Sequence, residues 1–149
     1  MSDDEIVQRL GDIDLFAGLP TKVLKHIASE GTTRSFDPGV PIVEEGANVK
    51  GWSSFSKEGV CFYVILEGSA DVEVHGTKVG GLEAGQYFGE TSLIDGQPRT
   101  ATVTAGPNGL RAFALTAFAF APILEENPSI AISMLKVIVG RLRAAEARA

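Results

Sequence analysis

The chain has 149 residues, enough for one domain with a buried core, and its 44% hydrophobic share excludes extended disorder. A net charge of −6 excludes a broad electrostatic footprint on nucleic acid, and no apolar run approaches the ~20 residues that span a bilayer. The single cysteine, Cys61, excludes an internal disulfide and fits a reducing cytoplasm, and the acidic start Met1-Ser2-Asp3-Asp4-Glu5 lacks the pattern of a secretory signal.

Residues 1–11 carry Ile6, Val7 and Leu10 at helical spacing, which predicts a short, partly docked lead-in helix. Ile13, Leu15, Phe16 and Leu19 form a compact apolar segment that ends at Pro20. Thr21 is placed to cap a helix over 22–30 whose inner face is Val23, Leu24, Ile27 and Ala28, and Gly31 stops it. From Thr32 the period changes from helical to alternating. Strands are expected over 32–36, 41–44, 61–66, 70–75, 78–82, 86–88, 101–105 and 110–115, most of them separated by glycine-bearing turns. Eight short strands of this kind suggest a jelly-roll-like antiparallel barrel. Cys61 reads there as a small buried hydrophobe.

Residues 47–59 break the tight rhythm; Trp52 and Phe55 there suit either a partner contact or a flap over the pocket, or anchors that fasten a long loop to the barrel, and the anchoring reading is favoured. The last third is helical. Thr116 is placed to cap a helix over 117–126, Asn127-Pro128 interrupts it, and 129–148 forms a longer helix that is apolar nearly all round at first. One face suffices to dock it, so a second cover is implied: the N-terminal helices, a bound purine, or a twin helix in a dimer.

The stretch 87–105, YFGETSLIDGQPRTATVTA, concentrates the chemistry. Gly89 lets a ligand approach the backbone and permits positive φ. The following residues, Glu90-Thr91-Ser92-Leu93, start a helical turn whose unpaired amides favour an anion. Arg99 offers two parallel donors to phosphate oxygens, and Glu90 beside an anion site needs a separate task, such as accepting from a sugar hydroxyl. The bare pair Glu90 and Arg99 would also read as an ion pair closing a surface loop; the ordered set of residues around it favours a phosphate-ester site. Two histidines, His26 and His75, supply no clustered metal ligands and read as structural, and no nucleophile is grouped with a base.

F-G-E-x-x-L-x-x-x-x-P-R-T-A, here Phe88-Gly89-Glu90, Leu93 and Pro98-Arg99-Thr100-Ala101, resembles the phosphate-binding cassette of cyclic nucleotide-binding domains. The resemblance implies an α+β fold: an eight-stranded β-roll flanked by N-terminal helices and two C-terminal helices. It divides a single domain, 1–149, into an N-terminal helical segment (1–31), a β-roll (32–115, cassette 87–101) and C-terminal helices (116–149). It implies that Glu90 holds the ribose 2′-hydroxyl, that Arg99 holds the cyclic phosphate, and that Phe88, Gly89, Thr91, Ser92, Leu93, Thr100 and Ala101 complete the cradle. Val72 and Val74 are then expected on the pocket wall, and Leu142 or Arg143 on a lid. Ligand would draw the cassette inward, Leu93 would repack, and the C-terminal helix would swing over the base.

Thr100 bears on cAMP against cGMP without deciding it, and Thr91 departs from the apolar residue usual in the family. The chain stops at Ala149, just after the last helix, which suggests a cytoplasmic stand-alone sensor. Its expected partners are a cyclic nucleotide, an effector protein and a second copy through the C-terminal helix, with no nucleic acid, membrane or metal. The rival classes are an interaction domain that has lost its ligand and a small cupin-type enzyme. On this reading Arg99→Ala is expected to leave the fold intact.

Overall fold

The computed structural model describes residues 1–46, 61–95 and 98–148, with Ser92 and Leu93 described by backbone alone. The loop expected over 47–59, with Trp52 and Phe55, therefore lies outside the described residues. Helix α1 (Asp3–Gly11) is capped by Ser2, whose Oγ accepts from the Glu5 amide at 3.2 Å. A 3₁₀ turn (Asp14–Phe16) leads to α2 (Thr21–Glu30). Thr21 is the first residue of α2 rather than its cap: Pro20 precedes the helix in extended conformation and no side chain caps it. That arrangement suits proline, whose fixed φ and missing N–H cost little before a helix.

The strands are β1 (Thr32–Phe36), β2 (Pro41–Val43), β3 (Cys61–Val74), β4 (Thr77–Glu83), β5 (Tyr87–Phe88) and β6 (Thr102–Thr116), all antiparallel. They form one six-stranded sheet in which β1, β6, β3 and β4 follow in order, with β2 on β6 and β5 on β3. Among the described residues the eight strands expected from the sequence appear as six, because two pairs are each assigned as one strand. The runs 61–66 and 70–75 become β3, and 101–105 and 110–115 become β6. The sequence predicts turns at Glu67-Gly68 and from Gly106 to Gly109; the β3–β6 ladder runs through Glu67 and Gly68 with a register shift, whereas Gly106 to Gly109 have no partner on β3 and leave the ladder between Ala105 and Leu110. At Gly68, φ is +87° and a Cβ would lie 2.2 Å from the Gly109 carbonyl oxygen, so this glycine allows two bent strands to cross closely.

The sheet separates two cores. Phe62, Val64 and Leu66 of β3, with Phe113 and Leu115 of β6, pack against Leu10, Phe16, Ile27, Phe120 and Ile130 of the helices. Cys61, Tyr63 and Ile65, with Leu110, Ala112 and Ala114, fill the opposite face together with Phe88 and Val103. Burial on both faces explains why 61–66 is a continuous apolar run rather than an alternating one. Helix α4 (Ala117–Glu126) is capped by Thr116, whose Oγ1 accepts from the Ala119 amide at 3.2 Å. Helix α5 (Pro128–Arg148) starts at proline, the favoured first helical residue. Among the described residues no helix is long and apolar enough to cross a membrane.

Candidate functional site

Between β5 and β6 the chain makes the short helix α3 (Glu90–Asp95), entered through Gly89 at φ +91°. A Cβ at Gly89 would sit 2.8 Å from the Cys61 carbonyl oxygen and 3.2 Å from Arg99 Nη1, so only glycine fits. Arg99 lies in the segment returning to β6 and is buried. Its Nη1 donates to the Gly89 carbonyl at 2.9 Å and its Nη2 to the Cys61 carbonyl at 3.1 Å. The guanidinium thus ties the start of β3 to the β5–α3 junction. Burial lowers its pKa, while Tyr63, Cys61 and Glu90 oppose that shift. Five N–H donors on one arginine leave others for a ligand after those two bonds.

Glu90 is 1% exposed, so its carboxylate needs a counter-charge. The partner comes from α5: Arg141 Nη1 donates to Glu90 Oε1, and its Nη2 reaches the Tyr87 carbonyl at 3.4 Å. The same guanidinium lies 5.7 Å from the Tyr87 ring centroid. Tyr87 is buried and its hydroxyl has no hydrogen-bond partner among the described residues. Burial, and then the Glu90 carboxylate, push that hydroxyl up to about 12.

Gly89, Glu90, Arg99 and Arg141 border one cavity of about 370 Å³. Phe88, Gly89, Glu90, Thr91, Arg99, Thr100 and Ala101 all line it, as does Val72. Ser92 and Leu93 lie in α3, with side chains outside the described residues, so the expected repacking of Leu93 lies outside them too. Val74, Leu142 and Arg143 do not line the cavity. Val74 lies at the far end of β3 by the turn to β4, and Leu142 and Arg143 are exposed on α5. The residue of α5 that reaches the site is Arg141, which sequence reasoning missed. A helical signal for it exists: Arg141 lies seven residues, two turns, after buried Met134, which itself follows buried Ile130 by one turn. The remaining wall is apolar, from Val43, Val79, Leu82 and Val103.

An apolar slot with an arginine, a glycine-opened helix start and a buried carboxylate at one end is built to hold a polar head and an aromatic or aliphatic body. The Cyclic nucleotide-binding domain family matches residues 33–127, and the chain belongs to that family. It is 33% identical over 98 residues to a cGMP-dependent protein kinase of Toxoplasma gondii, covering 66% of this chain and 9% of the kinase. It is 32% identical over 124 residues to a cAMP-dependent protein kinase regulatory subunit of Debaryomyces hansenii, covering 83% of this chain and 25% of that protein. The chain therefore spans a quarter or less of these relatives. Its fold matches Thermus thermophilus catabolite activator protein at TM-score 0.74 and 24% identity, covering 90% of this chain and 60% of that one. The cAMP-bound regulatory domain of Toxoplasma gondii PKA matches at TM-score 0.74 and 24% identity, covering 91% and 49%.

Proposed function

We propose that this domain is a non-catalytic sensor of cAMP or cGMP that reports occupancy through α5. The observation that carries the reading is Arg99, Gly89 and Glu90 lining one cavity while Arg141 of α5 holds Glu90. Arg99 and the first amides of α3 receive the cyclic phosphate, Glu90 accepts from the ribose 2′-hydroxyl, and the valine and leucine wall faces the base. A sugar hydroxyl on Glu90 competes with Arg141, so ligand and the present seat of α5 draw on the same carboxylate. Ligand shifts α5 only by its differential affinity for the two arrangements. The released helix then acts on an effector protein or on a second copy of the chain, in a reducing cytoplasmic setting that suits the lone Cys61.

Relatives named for cGMP and for cAMP are about equally similar, so both nucleotides are candidates. The test is calorimetric titration with cAMP, cGMP and 5′-AMP after removal of any co-purified nucleotide. Saturable binding of a cyclic nucleotide, with 5′-AMP much weaker, is the expected result; silence from all three would sink the reading.

A further inference from the structure

A second cavity, also of about 370 Å³, lies beside α5. Among the described residues it shares only Arg141 with the cavity around Glu90. Its Leu15 and Tyr87 belong to the helix-side core, whereas Phe88 and Val103 of the first cavity belong to the opposite core, so the sheet stands between the two. Three pieces of chain meet there: the 3₁₀ turn, the turn that leads into β5, and α5. The middle piece is held firmly, since the Gly85 amide donates to the Ile65 carbonyl at 2.8 Å and the Ile65 amide donates to the Gln86 carbonyl at 2.9 Å.

The polar groups of this cavity are mostly donors without an acceptor. Tyr87 is 5% exposed, and its buried hydroxyl has no partner among the described residues, a state that folded proteins rarely keep without a use for the group. Gln86 Oε1 accepts from the Glu83 amide at 2.8 Å, so its NH2 group is the part left to donate. Lys136 makes no ion pair among the described residues. Arg141 already offsets Glu90, so Lys136 supplies the charge for anything bound here.

These donors call for an anionic, acceptor-rich head. The exposed carboxylate of Asp14 borders the same space and repels a second negative charge, which favours a monoanion over a phosphate. Leu15 and Val137 offer an apolar surface for a short hydrocarbon body, and the volume sits at the small end of ligand sites. We propose that this cavity binds a small monocarboxylic acid, with its carboxylate on Lys136 and Tyr87 and its apolar body on Leu15 and Val137. Ser133, Lys136, Val137 and Arg141 all come from α5, so the site exists only while that helix keeps its seat. Bound acid therefore stabilises the seat, by linkage. The inference stands whether or not the first cavity takes a cyclic nucleotide.

The test is an NMR titration of the full chain with hexanoate and with benzoate, set against hexanamide and inorganic phosphate. Both carboxylates should give saturable shifts at the amides of 14–15, 86–87 and 133–141, with hexanamide and phosphate much weaker. At a carboxylate concentration about ten times Kd, hydrogen exchange of α5 amides that open by release of the helix should slow about tenfold. Lys136→Met should raise Kd at least about fivefold, and Tyr87→Phe at least about threefold. Both variants should fold, since Lys136 is exposed and phenylalanine keeps the ring. No saturable shift with either carboxylate, equal binding of hexanamide or phosphate, or an affinity unchanged in either variant would each overturn the proposal.

Discussion

Arg99 is both a candidate ligand group and a structural tie. Arg99→Ala is expected to weaken cyclic nucleotide binding by about 2–4 kcal/mol, read by calorimetry, the range for a charge-assisted phosphate contact. Its bonds to the Gly89 and Cys61 carbonyls add a second effect that the sequence did not disclose. Orphaning a buried acceptor costs about 1–3 kcal/mol, so urea unfolding should show a stability loss of that order. The neighbouring Tyr87 gives a test in pH. Its hydroxyl titrates near 12 in the fold against an ordinary 10, so its neutral form supports the fold below about pH 10. That support is lost as pH rises towards 12. Tyr87→Phe should flatten the fall in stability across this window, and should cost nothing at neutral pH because the hydroxyl lacks a partner among the described residues. Gly89, Glu90 and Arg99 were legible because their spacing is local. Arg141 was not, since it meets Glu90 across 51 positions and only packing of α5 brings it there.

Among the elements, α5 carries the largest consequence. Arg141→Ala leaves the buried Glu90 without its counter-charge, so the ligand-free domain should lose about 1–2 kcal/mol of stability, less than for a fully buried pair because Arg141 is half exposed. If the sugar competes with Arg141, the variant should also bind cyclic nucleotide about three- to tenfold more tightly, as 0.6–1.4 kcal/mol of competition is removed. Hydrogen exchange along α5 should then no longer respond to ligand. Weaker binding with an intact ligand response would show that Arg141 helps Glu90 instead of opposing the ligand. The helices were readable from their periodicity, down to Leu24 and Ile27 on the inner face of α2. Strand number was not. A glycine between two apolar runs looks the same in sequence whether it turns the chain or bends a continuing strand, and Gly68 does the latter.

For the whole molecule, a ligand that binds only the folded state should raise its stability by about 2.7 kcal/mol at a concentration one hundred times Kd. In a domain of this size that is a rise in melting temperature of about 5–10 °C, which a thermal scan in each nucleotide would read. The net charge of −6 opposes an anionic ligand at long range, so recognition depends on short-range groups at the cavity mouth. The sheet beneath that cavity has a consequence for how such a chain changes over generations. Along Cys61–Leu66, odd positions belong to the compartment facing the ligand cavity and even positions to the one holding the helices. Substitution at one parity leaves the other inventory untouched, so the packing beneath the cavity and the anchorage of the helices are free to drift apart in descendants. Insertion of a single residue would exchange both inventories at once. Lineages built on this strand are therefore expected to vary its letters freely while holding its length.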